Sequence, residues 1–591
     1  MTDRSTYKYS FGVLMVFLIV ASGSHAYKAK VTTQFGQIQG LLSRSTRGRL
    51  AAHYLGIPFA QPPVGDLRFR SPRPWFRNWT ETFLATEYAP VCVQVNNQGH
   101  FVGEEDCLYL NVYVPLKSAL PVMVYVHGGM YATNGGNNRL VPPEYMMDQD
   151  VIVVSIQYRL NILGFFATAT KNNPGNNGLK DIVMALRWVQ ENIRCFNGDP
   201  NIVTLWGHSA GASAVHLLAI TNKTEGLFNR YVNDFAEGHS FPTYEGTPTT
   251  DHRSHVDFDE TLPLFLPRAQ PRMNRPFLDI EYFVELSRKF HFVNIFFLET
   301  LTSKIVRWSG HCCIFAPTIE EESDDAIVTV HPLTAIKQHL FRDIPAIIGV
   351  TKDEGLMKSI GKFRQIYQAN QIFLRFAKII TNLVFNFIDN FLYVNTFSLF
   401  LTISSHSNVS IIYLYVFSYE GTFSATFAFT AGVPRHFGVS HVDDLNYLLP
   451  ILNKAFEDYM LHNTENDITV INIMTEMWAS FAIKGVPEAW RVTPWPDYKE
   501  SQKFLQIGDG KLPEITIGSE FFPERMAFWE ELSANLTYDP AGDLQLPPKL
   551  PIEDDEFASS GVSVRYDEIM ISLPTLLLLF TYFLSILERN C

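Results

Sequence analysis

One serine of the chain stands in a pattern that suits nucleophilic attack. Ser209 is the centre of Gly207-His208-Ser209-Ala210-Gly211, which follows the apolar segment Ile202 to Trp206 and precedes small helix-forming residues. A strand, a sharp turn and a helix in this order would place the serine hydroxyl above the edge of a sheet. The two glycines leave room for the crowded backbone. The pentapeptide alone is weak evidence, because G-x-S-x-G also occurs by chance in a chain of 591 residues.

A turn with two glycines is a candidate for the group that would stabilise an oxyanion. The apolar segment Val122 to Val126 ends in His127-Gly128-Gly129-Met130, about 80 residues before Ser209. Successive glycines allow backbone N–H groups to point at a carbonyl oxygen, although a plain turn between two elements has a similar sequence. Together with the serine pattern, the turn favours the chemistry of acyl transfer.

The elements around these residues predict an α/β fold. A helix is predicted from Asp181 to Ile193, and short apolar strands are predicted before and after it. Residues 31–40 alternate in polarity like a first hairpin strand, and the further predicted strands cover residues 105–115, 122–126, 151–156, 344–350 and 411–418. Short, continuously apolar strands that alternate with helices are typical of a large mixed, mostly parallel sheet flanked by helices on both faces.

Composition restricts the class of protein. The chain is 47% hydrophobic and 18% charged, which indicates a globular protein with one large core or two ordinary ones. The net charge of −13 is distributed without a long basic run. We therefore expect no nucleic acid as a partner. The acyl-transfer chemistry predicted above requires no metal and no cofactor.

The N-terminus indicates a secretory signal. Arg4 and Lys8 precede the apolar run Phe11 to Val20, and Ser24-His25-Ala26 has small residues at the two positions that a signal peptidase recognises. Residues 1–26 are the predicted signal peptide, with a short membrane anchor as the alternative. Four N-glycosylation sequons fit an extracellular route; their asparagines are Asn78, Asn222, Asn408 and Asn535.

Two of the six cysteines form the expected disulfide. In an oxidising compartment the nearby residues Cys92 and Cys107 are the best pair, because they would close a short polar loop. Cys195 is interpreted as a buried thiol, and the adjacent residues Cys312 and Cys313 could each form a bridge elsewhere.

The C-terminus carries a second hydrophobic signal. Residues 569–587 are apolar and long enough to span a membrane. Small residues at 558–561 come before them, and a short polar spacer lies between the two segments. This order favours the signal for a glycolipid anchor over a single transmembrane span, whereas the charged Glu588 and Arg589 argue against it. Residues 541–568, with three prolines and an acidic run, are predicted to be a stalk.

Several further passages resemble one family. Together with the motifs above, these passages are similar to the type B carboxylesterases, the cholinesterase-like family of α/β-hydrolases, in its insect carboxylesterase form. The passages are Gly175-Asn176-Asn177-Gly178-Leu179, Phe196-Asn197-Gly198-Asp199-Pro200 and Trp478 to Pro487. The resemblance extends from about Val31 to about Trp529. It implies the α/β-hydrolase fold for a domain of residues 27–540.

The resemblance also implies a catalytic triad in the order Ser, Glu, His. Glu354 follows the strand 344–350 and would be the acid, although the residues alone do not favour it over Asp353. His441 lies in a stretch similar to the family's histidine loop and would be the base that takes the proton from Ser209. Backbone N–H groups would bind the oxyanion; they belong to Gly128, Gly129 and Ala210.

The chain departs from the family at several positions. Met130 stands where a third glycine or alanine is frequent, and it puts a long side chain at the expected pocket wall. His208 stands where cholinesterases have glutamate, and the loop between Cys92 and Cys107 has no tryptophan to bind a choline cation. These differences argue against acetylcholine as the substrate.

Other departures concern the support of the site and the extent of the match. Phe235-Ala236 replaces a Ser-Gly pair that supports the acid in the family. The match nearly vanishes over residues 241–312 and 363–407, and the second stretch is interpreted as buried or amphipathic helix.

The expected function is hydrolysis of small uncharged or apolar carboxylic esters through an acyl-enzyme, outside the cell or on its surface. A membrane partner through the C-terminal segment 569–587 is part of this expectation, and the oligomeric state is left open. The alternative is a non-catalytic adhesion or binding ectodomain of the same fold. Because such relatives usually lack a triad residue and this chain lacks none, the esterase is favoured.

Overall fold

The computed structural model describes residues 29–96, 99–117, 119–137, 141–167, 173–234, 315–354, 356, 411–429, 434 and 436–523. These residues fall within one compact unit that extends to Pro523. The strands in chain order are β1 (Lys30–Thr33), β2 (Gly36–Gln39), β3 (Leu41–Arg44), β4 (Leu50–Pro58), β5 (Phe83–Leu84), β6 (Gln94–Val95), β7 (Phe101–Val102), β8 (Tyr109–Pro115), β9 (Leu120–Val126), β10 (Ile152–Ile156), β11 (Gly198–His208), β12 (Arg230–Asp234), β13 (Ala346–Thr351), β14 (Ile412–Tyr419), β15 (Phe504–Gly510) and β16 (Leu512–Gly518).

Eleven of the described strands form one mixed sheet in the order β16-β15-β14-β13-β12-β11-β9-β10-β8-β4-β3. The pairs from β10 across to β15 are parallel, and the outer pairs are antiparallel. All residues of β9 and β10 are buried, which is why their sequences are apolar without alternation. The sheet confirms the predicted α/β class and the mostly parallel arrangement.

Helices connect the parallel strands. Those with described bounds are α1 (Asn161–Phe165), α2 (Asn177–Asn192), α3 (Ala210–Ile220), α4 (Pro332–Lys337), α5 (Ile451–Ala455), α6 (Glu465–Lys484) and α7 (Tyr498–Ser501). A capping box between Thr464 and Asp467 begins α6, and Gly485 in the left-handed region ends it. Among the described residues, no helix combines the length and the apolar character that crossing a membrane requires.

Aromatic side chains fill the core between the sheet and α6. Trp206 of β11, Tyr415 of β14 and Trp478 of α6 are fully buried there. The ring of Tyr415 meets that of Trp478 edge to face, with centroids 5.2 Å apart. This packing fixes the carboxyl ends of β11 to β14, from which the candidate catalytic residues project.

Several predicted boundaries and environments differ from the structure. Helix α2 begins at Asn177, before Asp181, and the strand predicted from residue 105 begins at Tyr109 because the segment around Cys107 is tied to Cys92 by a disulfide. The prediction of a buried Cys195 is wrong, since this thiol is exposed. It lies in a 3₁₀ turn that directs its neighbours Ile193 and Phe196 inward.

Some predictions concern residues that the structure does not describe. Of the four asparagines in predicted glycosylation sequons, only Asn78 and Asn222 lie in described segments, where both are exposed. Outside the described residues are the predicted signal peptide, stalk and C-terminal segment, the stretches 241–312 and 363–407, Phe235-Ala236, Cys312, Cys313, Asn408 and Asn535.

Candidate active site

Ser209 occupies a strained turn between β11 and α3. Its backbone angles are φ 57° and ψ −126°, a conformation that costs a non-glycine residue about 1–3 kcal/mol. A Cβ on Gly207 would lie 2.4 Å from the carbonyl oxygen of Gly211, and a Cβ on Gly211 would lie 2.1 Å from that of Val126. Both glycines are therefore required for the turn, which accounts for the G-x-S-x-G pattern.

Neighbouring elements hold the turn in place. The N–H of Ser209 donates to the carbonyl of Asp234 at the end of β12, with an N-to-O distance of 3.1 Å. The carbonyl of Ser209 accepts from the N–H of Ser213 in α3, also at 3.1 Å. The Ser209 hydroxyl itself makes no hydrogen bond within the part of the chain that the structure describes. Catalytic contacts of this kind often form only when substrate is bound.

Glu354 and His441 are in direct contact. Oε2 of Glu354 lies 3.0 Å from Nδ1 of His441, and Oε1 accepts the N–H of Thr351 at 2.7 Å. The Glu354 side chain is fully buried, whereas that of His441 is 13% exposed. The carboxylate places the proton of the neutral imidazole on Nδ1, so Nε2 is the nitrogen that can act as a base.

Asp353, the other candidate acid, has a different partner. Its Oδ2 accepts the N–H of Val439 at 2.9 Å, in the loop that carries His441. A Cβ on Gly438 would lie only 2.6 Å from the same oxygen. Asp353 therefore supports the histidine loop, and Glu354 is the carboxylate that meets the imidazole.

His441 lies beside the turn of Ser209. Its ring stacks on that of His208, with centroids 4.7 Å apart and planes inclined by 27°. His208 directly precedes Ser209, so the structure brings the base candidate to the nucleophile candidate although Ser209 and His441 are 232 positions apart in the sequence.

The glycine turn after β9 also lies against the elbow. A Cβ on Gly128 would be 2.8 Å from Cβ of Ser209 and 2.6 Å from the carbonyl oxygen of His208. Gly129 has φ +112°, which favours glycine. The N–H groups of Gly128, Gly129 and Ala210 donate to no group of the described residues. These three donors are therefore available for an oxyanion near Ser209.

Two side chains orient the peptide between Gly128 and Gly129. The carbonyl of Gly128 lies 2.8 Å from Nδ1 of His127 and 3.3 Å from Nδ2 of Asn134. Burial lowers the pKa of His127 to about 4, so its ring is neutral and Nδ1 can donate. Because the C=O and N–H of a trans peptide point in opposite directions, these bonds fix the direction of the Gly129 N–H.

We expect Gly128→Ala to lower kcat on the order of 10²- to 10³-fold, as loss of an oxyanion donor does. The added methyl group would collide with Ser209 and displace the loop. Steady-state hydrolysis of a nitrophenyl ester measures the effect. The control is Gly48→Ala: Gly48 has φ +81°, so alanine strains its turn, but nothing lies within 4 Å of the added carbon. Equal kcat values for the two variants would contradict the assigned loop.

A pair of buried carboxyl groups lies behind the site. The hydroxyl of Tyr415 is 3.0 Å from Oδ1 of Asp234 and 2.8 Å from Oδ2 of Asp444. One hydroxyl donates one proton, so the second carboxyl makes a favourable contact only when it is protonated itself. Burial and the charge of Asp444 raise the pKa of Asp234 well above its usual range, and burial with the charge of Glu354 raises that of Asp444 to about 6.

We expect this pair to make stability depend on pH. Because the pKa of Asp444 is higher in the folded than in the unfolded chain, its contribution is complete below about pH 4 and is lost as pH rises through about 6. Asp444→Asn keeps a hydrogen-bonding group toward Tyr415 but cannot ionise. As pH rises through about 6, its free energy of unfolding should therefore fall by about 1–3 kcal/mol less than that of wild type. Urea unfolding at pH 4.5 to 8 measures it, with the exposed Asp458→Asn as control. Parallel curves for wild type and Asp444→Asn would contradict the expectation.

The sheet, the elbow and the glycine turn define an α/β-hydrolase. A profile of the carboxylesterase family matches residues 27–237 and 362–529. Juvenile hormone esterase of Tribolium castaneum is 30% identical over 577 residues, which covers 85% of this chain and 93% of that protein. Esterase FE4 of Myzus persicae is 30% identical over 541 residues, which covers 83% of this chain and 91% of that protein.

A solved structure has the same fold. Juvenile hormone esterase from Manduca sexta, with OTFP covalently attached, superposes with a TM-score of 0.65 at 24% identity and covers 86% of this chain and 100% of that one. The chain belongs to the carboxylesterase family, and it is a carboxylic ester hydrolase. Within the described ranges no cluster of three side chains suited to a metal ion occurs.

The comparisons correct one prediction about the extent of the match. The unmatched residues 238–361 include the predicted break at 241–312, but the predicted break at 363–407 lies inside the second matched segment. Glu354 falls in the unmatched part, so its assignment rests on its contact with His441. No sequence signal marks the roles of Asp234 and Tyr415. Asp234 is the last residue of one ordinary buried strand, and Tyr415 lies within another.

Proposed function

We propose that this chain is a serine esterase that hydrolyses small uncharged or apolar carboxylic esters through an acyl-enzyme. Ser209 is the nucleophile, His441 the general base and Glu354 the residue that orients the base. The observation that carries the proposal is the 3.0 Å contact of Glu354 with a His441 ring that packs against the elbow.

The reaction proceeds in two similar halves. Oγ of Ser209 attacks the ester carbonyl carbon while its proton moves to Nε2 of His441, and Glu354 stabilises the resulting imidazolium. The oxyanion accepts from the N–H groups of Gly128, Gly129 and Ala210. Collapse expels the alcohol, which takes the proton from His441. Water then attacks the acyl-enzyme with His441 as base, and the acid and free Ser209 are released.

The choice of substrate rests on charge. The loop between Cys92 and Cys107 offers no tryptophan for a quaternary ammonium group, and the residue before Ser209 is a buried histidine instead of a carboxylate. The relative from Tribolium castaneum is named a juvenile hormone esterase, so a juvenile hormone is among the esters to test. The missing tryptophan and the histidine in place of a carboxylate favour uncharged esters over choline esters.

The proposed route is secretion. Residues 1–26 would be removed as a signal peptide, residues 27–540 would form the esterase domain, and residues 541–568 would be a stalk before the hydrophobic segment 569–587, which would anchor the chain or direct addition of a lipid. The exposed sequons at Asn78 and Asn222 and the disulfide of Cys92 and Cys107 support this route. A free extracellular enzyme and an anchored one are both compatible with it.

Comparison of neutral and cationic esters tests the function. The full chain, expressed in cells that secrete it, is assayed with 4-nitrophenyl acetate, 4-nitrophenyl butyrate and acetylthiocholine. We expect turnover of the nitrophenyl esters with a kcat/KM at least about 10-fold above that for the thiocholine ester. No turnover above the buffer rate would overturn the esterase proposal, and a preference for the thiocholine ester would overturn the substrate class.

A further inference from the structure

His208 is the buried neighbour of both candidate catalytic residues. It ends β11, pairs in register with Asp234 of β12, and is 4% exposed. Its ring stacks on His441, while its backbone leads directly into Ser209. The contact joins the strand that carries the nucleophile to the loop that carries the base.

The ring of His208 contacts His441 through its face. Its Nε2 is buried and has no hydrogen-bond partner among the described residues. An unsatisfied buried polar atom is unfavourable. A hydrogen bond from Nε2 therefore does not explain the contact between the rings of His208 and His441. Burial, together with the charge of His441, lowers the pKa of His208 well below its usual range, and the ring is neutral.

We propose that His208 is a positioning residue whose neutral ring face holds the imidazole of His441 in the orientation needed to exchange a proton with Ser209. The proposal rests on the function proposed above, in which His441 is the base. Glu354 binds one edge of the His441 ring at Nδ1, and His208 lies against the face of the same ring. A flat surface against that face restricts rotation of the imidazole about its Cβ–Cγ bond.

The neutrality of His208 has its own consequence. Ionisable groups approach His441 from several elements: Glu354 after β13, Asp444 in its own loop, and behind them Asp234 of β12 with Tyr415 of β14. A carboxylate at position 208 would add a negative charge against the imidazole. It would stabilise the imidazolium and keep the base protonated to a higher pH.

Three substitutions of His208 separate these effects. His208→Ala removes the surface and should lower kcat roughly 10- to 100-fold, as loss of orientation does, with KM changed less than about 3-fold. His208→Phe restores a neutral aromatic face and should recover most of that loss. His208→Glu should move the acidic limb of the pH profile of kcat/KM upward by about 1 unit or more.

A second buried histidine provides the matched control. His216 of α3 is also 4% exposed, and neither of its ring nitrogens has a partner among the described residues. Its ring packs on that of Phe341, with centroids 5.0 Å apart. His216→Ala should lower the thermal midpoint as His208→Ala does, while kcat and the acidic limb stay as in wild type.

The experiment measures kcat, KM and the pH profile from pH 5 to 9 for wild type, the His208 variants, His216→Ala and His441→Ala, with active sites counted by organophosphate titration. The expected pattern is loss in His208→Ala, recovery in His208→Phe and a shifted limb in His208→Glu. Wild-type kcat in His208→Ala would overturn the proposal, and so would equal loss in the Phe and Ala variants or an unshifted limb in the Glu variant. Activity retained by His441→Ala would instead overturn the proposed function itself.

Discussion

Ser209→Ala is expected to lower kcat on the order of 10⁴- to 10⁶-fold, with KM changed only several-fold. The substitution removes the atom that forms the acyl-enzyme and leaves the oxyanion donors and the substrate contacts in place. Because the Ser209 hydroxyl makes no hydrogen bond within the described residues, its removal breaks no bond that the described structure shows. The variant should therefore fold normally.

The measurement is the steady-state rate with 4-nitrophenyl butyrate, beside the thermal midpoint of each protein. Ser213→Ala is the control, since Ser213 is a buried serine one turn further along α3. We expect Ser213→Ala to stay within about 10-fold of wild type in kcat. Equal rates for wild type and Ser209→Ala would mean that another residue carries the reaction.

The second large effect concerns Glu354 and His441. His441→Ala should cost about as much as Ser209→Ala, because both remove an indispensable part of one unit. Glu354→Gln should cost on the order of 10⁴-fold. In this variant the N–H of Thr351 would hold the amide oxygen of the new side chain, so its amide N–H₂ would face Nδ1 of His441. The imidazole would then carry its proton on Nε2 and could not accept one from Ser209.

The double variant distinguishes a coupled pair from two independent contributions. Glu354→Gln combined with His441→Ala should be no slower than His441→Ala alone, because the carboxylate acts only through the imidazole. Steady-state rates of the four proteins give the coupling directly. Losses that multiply would show that Glu354 acts through a partner other than His441.

Local sequence was sufficient for the elbow and the glycine turn. Gly207 and Gly211 are required because an added Cβ would collide with the backbone of the same turn or of the end of β9. The pentapeptide alone is therefore enough to predict the geometry of the turn. The strands of the parallel sheet were also predictable, because burial on both faces makes them apolar throughout. Their ends were less well defined, as β8 illustrates, because the preceding residues depend on the disulfide of Cys92.

Residues that act through distant contacts could not be predicted in this way. Asp353 and Glu354 are adjacent carboxylates after one strand, and only the folded chain shows that the first binds the Val439 N–H and the second binds His441. The stacking of His208 on His441 joins residues that are 233 positions apart. No local pattern marks such a pair, since the fold alone determines which loop reaches the end of β11.

The central claim is that Ser209 is the acylated nucleophile, and covalent labelling tests it most directly. The full chain is treated with an organophosphate until activity is lost, digested and analysed by mass spectrometry, with Ser209→Ala treated in parallel. We predict one phosphoryl group per active site on the peptide that contains Ser209, formed in step with the loss of activity and absent from Ser209→Ala. Complete inactivation with Ser209 unmodified, or the same labelling in Ser209→Ala, would contradict the account.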